Sequence, residues 1–383
     1  MRKICFVTGT RAEYGLLSRL MRLVKEDKDL RLQVIATNMH LMPEYGETYK
    51  EIEKDGFTID KKVYMHKPSD DAYGIISSMA EEMQGMNNAL SELKPDILVL
   101  LGDRYEILVA AQVALIHHVP IAHIHGGEVT EGAFDDAIRH SVTKMSSLHF
   151  TSCEEYRHRV IQMGEQPSRV FDVGSLGVEN IKAVPLMTKD ELEASLDFKI
   201  DKQTILVTYH PVTLGGDPAK DIREFLDALD QFKDLKVIFT MPNSDTGRDA
   251  IALAVENYVE KHSNSAKAYT SLGLKRYLST LQFVKAAVGN SSSGIIEVPS
   301  FGIPTLNIGD RQKGRLASKS VVNCGTSKDE VIAGLKLCLS EEMQKAAKTY
   351  ENPYAKPDTA NLIYQELKNV ELAGLNLKTF YDL

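Results

Sequence analysis

The fold is decided by the stretch PDILVLLGDRYE, residues 95–106. Five consecutive apolar residues, 97–101, lie between a proline and a glycine, which is typical of a strand buried on both faces of a parallel sheet. Residues 105–117 carry the apolar pattern of a helix, so the stretch predicts a strand–turn–helix unit. Ligands of such sheets bind beyond the carboxyl ends of the strands, where Asp103 and Arg104 stand. The alternative is a helix cap with a local ion pair.

A second polar motif follows the next apolar stretch, residues 119–124, which predicts another strand. The motif reads HGGE and places His125 and Glu128 on either side of two glycines, which let the backbone turn sharply or approach a ligand closely. Consecutive strands of a parallel sheet are often neighbours, so Asp103 and Glu128 are expected to face one site.

A third acid comes from the helix predicted after this motif. Asp135 is placed as its N-cap, and Asp135 and Arg139 form an i,i+4 acid–base pair that alone would be surface support. Three acids from three consecutive turns favour a functional site over coincidence.

Length and composition limit the class of protein. At 383 residues the chain is long enough for two or three domains, and 43% apolar and 26% charged residues are ordinary for a globular protein. A net charge of −8 argues against nucleic acid as the main partner. The apolar run at the N-terminus is too short for a signal peptide, and no apolar stretch is long enough to span a membrane. The four cysteines lie far apart in the sequence, which suggests reduced thiols. We therefore expect a cytoplasmic protein with no membrane partner.

The alternation of strand and helix patterns runs through the first half and restarts near residue 204. This predicts an α/β fold of two doubly wound Rossmann-like domains facing a cleft. We expect an N-terminal domain at 1–180 with the acid–base residues and a C-terminal domain at 181–356. A final helical segment, 357–383, is expected to pack back toward the first domain.

The second domain has its own candidate site in the stretch GNSSSGIIE, residues 289–297. A strand enters it, hydroxyls and glycines make the turn, and an apolar helix is predicted to leave. Serines beside the free N–H groups of a helix N-terminus form a phosphate cradle, and an acid one turn later can accept from ribose hydroxyls. The alternative is that the serines only cap the following helix, or that they form a flexible loop without a ligand. The candidate residues are Asn290, Ser291, Ser292, Ser293 and Glu297.

Other polar residues follow predicted strands. His210, in the motif HPVT, is rigidly placed by the proline after it, and the stretch GDRQKGR at 309–315 nearly matches a P-loop. That stretch lacks the Mg²⁺-binding hydroxyl, which excludes a nucleoside triphosphatase, but its Arg311 suits a diphosphate. In the first domain Arg11 lies in a strand–helix turn that suits an anion, and His40 ends a strand. For each of these residues a non-functional role is the alternative: the arginines could face solvent, and the histidines could be loop residues whose hydrogen bonds are made within the protein.

The chain resembles the hydrolysing UDP-N-acetylglucosamine 2-epimerases of sialic-acid biosynthesis. The resemblance rests on the motifs GTRAEY, GDRYE, HIHGGE, DDAIRH, HPVT, GNSSSG and GDRQ, which run in family order from residue 8 to about residue 315. It implies the glycosyltransferase-B architecture, UDP held mainly by the second domain, the sugar in the cleft, and neither metal nor nicotinamide in the chemistry. It also implies UDP-sugar and UDP as ligands and a homo-oligomer, a dimer or tetramer.

The resemblance carries roles for individual residues. Asp103 and Asp135 match family acids proposed for proton transfer, and many members have Glu where this chain has His125. The predicted catalytic residues are Asp103, His125, Glu128, Asp135 and Arg139. The predicted UDP-binding residues are Arg11, His210, Asn290, Ser291, Ser292, Ser293, Glu297 and Arg311, and those for the sugar are His40 and Arg104.

The family's reaction removes the C2 proton while UDP leaves C1, which gives a 2-acetamidoglucal that is hydrated with inversion at C2. We expect UDP-N-acetylglucosamine and water to give N-acetylmannosamine and UDP. The same chemistry on UDP-N,N'-diacetylbacillosamine and a non-hydrolysing 2-epimerase remain alternatives. A glycosyltransferase would need an acceptor, and a solute-binding protein or nucleotide-sugar sensor would not need the three acids.

Overall fold

The computed structural model describes residues 1–67, 69, 71–131, 133–212, 217–242 and 247–383, and Thr213 of the HPVT motif lies outside them. The chain divides into two compact units. The first unit comprises Met1–Glu128, Asp135–Asn180 and Lys356–Leu383, and the second comprises Val129–Phe134 and Ile181–Ala355.

The first unit is built on a seven-stranded sheet. Its strands are β1 (Arg2–Thr8), β2 (Leu30–Thr37), β3 (Lys61–Val63), β4 (Ile97–Leu101), β5 (Ile121–Ile124), β6 (Leu148–Thr151) and β7 (Val170–Asp172). They are parallel and run in the order β3-β2-β1-β4-β5-β6-β7. The strand order reverses between β1 and β4, which is where doubly wound sheets bind ligands.

The second unit is built on a six-stranded parallel sheet. Its strands are β8 (Thr204–Thr208), β9 (Lys236–Thr240), β10 (Ala266–Tyr269), β11 (Ala286–Gly289), β12 (Thr305–Ile308) and β13 (Val321–Cys324). The order is β10-β9-β8-β11-β12-β13, so here the reversal lies between β8 and β11. The predicted class, two doubly wound α/β units, is confirmed.

Helices connect and cover the strands of both sheets. They are α1 (Arg11–Glu26), α2 (Tyr49–Lys54), α3 (Ala72–Leu93), α4 (Tyr105–Ile116), α5 (Asp135–Met145), α6 (Glu154–Gln162), α7 (Leu176–Ala183), α8 (Lys189–Leu196), α9 (Pro218–Leu229), α10 (Arg248–Lys261), α11 (Gly273–Leu281), α12 (Ser293–Ile296), α13 (Lys328–Cys338), α14 (Glu341–Ala347) and α15 (Thr359–Asn369). Within the described residues, none of these helices combines the length and apolar character needed to cross a bilayer.

The predicted strand–turn–helix unit is confirmed. All five residues of β4 are buried, and α4 begins at Tyr105. The continuous apolar run fits this place because β4 pairs with β1 on one side and with β5 on the other while helices cover both faces. Asp103 therefore follows a strand whose position is set by packing.

Two local details differ from the sequence prediction. The helix after the serine turn is only the single turn α12, and a 3₁₀ turn over Val298–Phe301 follows it. Pro299 accounts for this, since it has no N–H for a helical bond and disfavours a helical residue before it. Asp135 is the first residue of α5 and not the cap before it.

The C-terminal segment packs on the first unit. Helix α15 packs against α1, and Arg2 donates to the carbonyls of Leu367, Lys368 and Val370 at 2.6, 2.6 and 2.7 Å. Further along, Lys378 Nζ donates to the carbonyls of Lys144 and Ser146 at 2.7 and 2.6 Å.

Candidate active site

The acids after β4 and in α5 meet at one buried arginine. Arg139 is 2% exposed and forms an ion pair with Asp103, and its Nη1 donates to the carbonyl oxygen of Glu128 at 3.0 Å. A second acid, Asp136, lies 3.6 Å from the same guanidinium. The arginine of α5 thus joins the ends of β4 and β5, as expected for parallel neighbours.

The HGGE turn presents a histidine against an acid. His125 Nδ1 lies 3.2 Å from Glu128 Oε1, which also accepts a hydrogen bond from Ser152 Oγ at 2.8 Å. His125 has a φ of +67°, which non-glycine residues rarely adopt and which tertiary structure must hold. Gly127 has a φ of +79°, and a Cβ there would lie 2.5 Å from the Tyr156 carbonyl, so only glycine fits this close approach.

A second buried histidine supports the residue before Asp103. His123 Nε2 lies 2.8 Å from the carbonyl oxygen of Gly102, and its Nδ1 lies 3.1 Å from Thr143 Oγ1 on α5. Burial lowers the pKa of His123 to about 3, so the ring is neutral. A carbonyl only accepts, so Nε2 carries the hydrogen and Nδ1 accepts from the hydroxyl. His123 therefore links β5 to the end of β4 and to α5.

Two other predicted site residues, Asp135 and Arg104, belong to the same two segments of the chain as Arg139 and Asp103. Asp135 is buried at the start of α5, where a carboxylate suits the positive end of a helix. Arg104 is buried, and its Nε donates to Glu106 Oε1 at 2.7 Å. Its guanidinium also lies over the ring of Tyr105, 5.3 Å from the centroid.

Arg11 and His40 lie after β1 and β2. Arg11 Nε is 2.5 Å from Glu51 on α2. His40 is 0% exposed, with Nε2 3.1 Å from Thr8 Oγ1 and Nδ1 2.8 Å from Thr48 Oγ1, and burial lowers its pKa to about 4. Both ring nitrogens of His40 thus have hydroxyl partners, which favours the alternative of a satisfied structural histidine.

Three glutamates are buried where the first sheet reverses its order. Glu13 Oε2 accepts from the N–H groups of Gly9 and Thr10 at 2.7 and 3.1 Å, and Glu82 accepts from Thr37 at 3.3 Å. Burial, and after it the nearby Glu106, raise the pKa of Glu13 to about 8 and that of Glu82 well above its usual range. Both carboxyl groups therefore keep a proton to a higher pH than ordinary surface acids do.

In the second unit, one asparagine joins two of the predicted motifs. Asn290 Oδ1 accepts from the N–H of His210 at 2.7 Å, and Asn290 Nδ2 donates to the His210 carbonyl at 2.8 Å. The Asn290 carbonyl in turn accepts from Arg311 Nη1 at 3.2 Å and from Gln312 Nε2 at 2.9 Å. The ends of β8, β11 and β12 are therefore tied together by direct hydrogen bonds.

The serine turn begins at Gly289, whose φ is +131° and where a Cβ would lie 2.0 Å from the Thr208 carbonyl. No other residue fits there without moving β8 or β11. Ser291, Ser292 and Ser293 are half-buried, and Ser293 Oγ lies 2.5 Å from the hydroxyl of the half-buried Tyr277. A small pocket beside this turn is lined in part by Thr208, Ser291 and Tyr277. Glu297 follows α12, and burial, with Glu297 as the next cause, raises the pKa of Tyr277 above its usual range.

The structure also adds residues that the sequence did not single out, namely His123, Ser152, Tyr277 and Gln312. Ser152 directly follows the predicted strand β6, and Gln312 belongs to the motif GDRQ, so both positions carried a usable signal; Tyr277 carried none. Among the described residues, no group of three or more His, Cys, Asp or Glu side chains is arranged to hold a metal ion.

Comparison with known proteins gives consistent matches along the chain. The model of the family described as UDP-N-acetylglucosamine 2-epimerase matches residues 22–368. A Campylobacter jejuni protein named GDP/UDP-N,N'-diacetylbacillosamine 2-epimerase (hydrolyzing) is 45% identical over 383 residues, covering 100% of this chain and 99% of its own. The Escherichia coli polysialic acid biosynthesis protein P7 is 38% identical, covering 100% of this chain and 98% of its own.

A solved structure supports the fold. The UDP-GlcNAc 2-epimerase from Neisseria meningitidis, solved with UDP-GlcNAc bound, aligns with a TM-score of 0.80 over 95% of this chain and 99% of its own. The sequence identity of this alignment is 17%, so it is the fold that the two chains share.

Proposed function

Because the chain belongs to the UDP-N-acetylglucosamine 2-epimerase family, we propose that it is a hydrolysing 2-epimerase that converts UDP-N-acetylglucosamine and water to N-acetylmannosamine and UDP. The observation that carries the proposal is the acid–base group of the first unit, in which buried Arg139 contacts the carboxylate of Asp103 and the backbone carbonyl of Glu128, while the carboxylate of Glu128 contacts His125.

The reaction needs a base that takes a weakly acidic proton. The hydrogen at C2 of the sugar is not next to a carbonyl, so it leaves only as the C1–O bond breaks. Its electron pair forms the C1–C2 double bond of 2-acetamidoglucal, and the C1–O electrons depart with UDP. A base takes the proton, and an acid later delivers one to the opposite face of C2 while water adds at C1.

The first unit supplies candidates for both roles. His125 Nε2 is buried and has no hydrogen-bond partner among the described residues, as suits a base that receives a proton. Asp103 and Asp135 come from other elements and are available as the second proton-transfer group. Arg139 stabilises the carboxylate of Asp103 and is best described as a positioning cation.

The second unit supplies candidates for UDP binding. Ser291, Ser292 and Ser293 offer hydroxyls at the end of β11, and Arg311 and His210 are held beside them through Asn290. Cationic and hydroxyl groups at this edge suit a diphosphate, whose charge grows as it leaves C1. Glu297 is the candidate acceptor for ribose hydroxyls.

A second substrate deserves the same test. The Campylobacter jejuni relative is 45% identical over the whole chain and is named for a diacetylated diamino sugar nucleotide. UDP-N,N'-diacetylbacillosamine is therefore the second candidate, with the same elimination and hydration.

The deciding experiment is proton NMR of each nucleotide sugar with the protein in D₂O. We expect free UDP and the C2-inverted sugar in equal amounts, with deuterium at C2, and no accumulation of a UDP-linked epimer. A UDP-linked epimer would indicate the non-hydrolysing reaction. Product that keeps its original C2 hydrogen would exclude elimination with reprotonation from solvent. The substrate with the higher kcat/KM is the assigned one.

A further inference from the structure

We propose that Ser152, Glu128 and His125 form a hydrogen-bonded chain in which Ser152 and Glu128 are positioning residues that fix the tautomer of His125 and leave its Nε2 as the base. The inference rests on the proposed function for the identity of the proton that is removed. The arrangement of the three side chains does not depend on it.

All three side chains are buried at the ends of neighbouring strands. Ser152 is 0%, Glu128 2% and His125 7% exposed. Ser152 follows β6, and the other two belong to the turn after β5, which pairs with β6. Ser152 Oγ donates to Glu128 Oε1 at 2.8 Å, and His125 Nδ1 lies 3.2 Å from the same oxygen.

Hydrogen bonds from neighbouring residues fix the backbone of the HGGE turn at several positions. The N–H of His125 donates to the Phe150 carbonyl at 2.8 Å. Arg159 Nη1 donates to the Gly127 carbonyl at 2.6 Å, and Arg139 Nη1 donates to the Glu128 carbonyl at 3.0 Å. These bonds explain how His125 keeps a left-handed backbone, and such strain occurs where a side chain must point in one direction.

The chemistry of the donors sets the tautomer. A carboxylate only accepts hydrogen bonds, so the nitrogen facing Glu128 must carry hydrogen, and Ser152 Oγ fills a second acceptor site of the same oxygen. Neutral His125 is therefore protonated on Nδ1, and its Nε2 carries the lone pair. Within the part of the chain that the structure describes, Nε2 is buried and has no hydrogen-bond partner, so its lone pair can take a proton.

In the proposed step Nε2 takes the C2 hydrogen as a proton, and the electrons of the C2–H bond form the C1–C2 double bond. The C1–O electron pair leaves with UDP. The imidazolium that results still donates from Nδ1 to Glu128, which remains a carboxylate and moves no proton itself. Glu128 thus acts through His125, in the way that the aspartate of a Ser-His-Asp triad acts through its histidine.

The first test is the tautomer, measured without substrate. Protein labelled with ¹⁵N-histidine is examined by two-bond ¹H–¹⁵N NMR at a pH where the ring is neutral, and the His125→Gln variant identifies the signal. We expect the Nδ1–H form in the wild type. In Glu128→Gln the amide can donate to Nδ1, so we expect the Nε2–H form. A wild-type Nε2–H form, or a Glu128→Gln variant with an unchanged tautomer, would overturn the proposal.

The second test is kinetic. Glu128→Gln keeps the shape of the side chain, so we expect KM to stay within about twofold while kcat falls by ~10²–10⁴-fold, the range for a lost acid–base function. Ser152→Ala should keep the Nδ1–H form and lose roughly tenfold in kcat, since one hydrogen bond to the carboxylate is removed. Glu154→Gln makes the same chemical change on the exposed start of α6 and serves as the control.

Failure of the inference and failure of the proposed function give different results. If no nucleotide sugar is turned over by the wild type, the function fails while the NMR result still decides the tautomer. If the wild type is active and Glu128→Gln keeps its kcat, the function stands and the positioning role of Glu128 is wrong. Far-UV circular dichroism confirms that each variant is folded.

Discussion

Asn290 satisfies both backbone polar groups of His210, since its Oδ1 accepts from the His210 N–H at 2.7 Å and its Nδ2 donates to the His210 carbonyl at 2.8 Å. A side-chain amide can make this pair of bonds because it carries an acceptor and a donor side by side. The two residues are 80 positions apart in the chain, and the bonds hold the end of β8 against the end of β11.

The first prediction concerns this pair. Asn290→Ala leaves two buried backbone groups without their partners, so we expect the free energy of unfolding to fall by about 2–4 kcal/mol. UDP affinity should fall at least ~10-fold, because two motifs proposed to bind UDP lose their mutual support. Urea unfolding and calorimetric titration with UDP measure the two effects. Asn264→Ala, on an exposed position of the same unit, is the control, and equal UDP affinities in the two variants would contradict the prediction.

The second prediction concerns the serine turn. If Ser291 and Ser292 contact the diphosphate, a Ser291→Ala/Ser292→Ala double variant should bind UDP ~10- to 100-fold more weakly, since each hydroxyl bond to a charged group contributes about 1.5 kcal/mol or more. Wild-type affinity for UDP should be the same with and without a chelator, because no metal is invoked in the binding. The assignment of the turn fails if the double variant binds UDP as tightly as the wild type.

The third prediction concerns Asp103. Asp103→Asn keeps the size of the side chain and removes the carboxylate, so UDP binding should persist while UDP release from substrate slows by ~10²–10⁴-fold. The variant also leaves Arg139 facing a neutral group, so its stability must be measured beside its activity. Asp234→Asn, on an exposed loop of the second unit, is the control. Full activity of Asp103→Asn would remove Asp103 from the mechanism and leave the mechanism itself standing.

The fourth prediction concerns pH and Glu13. Burial, and next the neighbouring Glu106, raise the pKa of Glu13 from 4.5 to about 8. The folded chain thus keeps a proton that the unfolded chain loses above pH 4.5, so the free energy of unfolding falls as pH rises toward 8. For one proton the slope is at most about 1.4 kcal/mol per pH unit.

Glu13→Gln carries no titrating proton, and its side-chain oxygen can still accept from Gly9 and Thr10. The free energy of unfolding of the variant relative to wild type should therefore increase from about pH 5 to about pH 8. Urea unfolding across this range measures the difference, and Glu26→Gln at the exposed end of α1 is the control. A difference that does not change with pH would show that Glu13 is ionised in the folded protein.

The fifth prediction concerns the C-terminal segment. Lys378 Nζ lies 2.8 Å from Glu165 Oε2, and the same carboxylate contacts Lys144 at 2.6 Å and His149 at 3.0 Å. These partners outweigh burial and hold the pKa of Glu165 at about 2. Lys378→Met removes one cation and two bonds to carbonyls, so the free energy of unfolding should fall by about 2 kcal/mol. Lys345→Met on the exposed face of α14 is the control, and equal midpoints in urea for the two variants would refute the role of Lys378.

Much of the fold could be predicted because burial leaves a periodic pattern in the sequence. The run at 97–101 indicated β4, and the alternation of apolar strands and helices indicated two doubly wound units. The short edge strands β3 and β13 were not predicted, because their few residues include charged or polar side chains that weaken the apolar pattern. Pro299 limits the helix predicted after the serine turn, so that α12 has only one turn.

By itself the sequence determined which polar residues follow strands. Because the strands were expected to be parallel, these residues were expected at one edge of the sheet, where Asp103, His125, Glu128 and Arg139 lie. Only the tertiary structure decided which atoms pair. The carboxylate of Glu128 contacts His125 and also Ser152, which is 24 residues from Glu128 in the chain. The side-chain amide of Asn290 contacts the backbone of His210. The physical reason is that apolar periodicity is a local property of the chain. The pairing of buried donors and acceptors depends on how the strands pack in register, which brings together groups that are far apart in sequence.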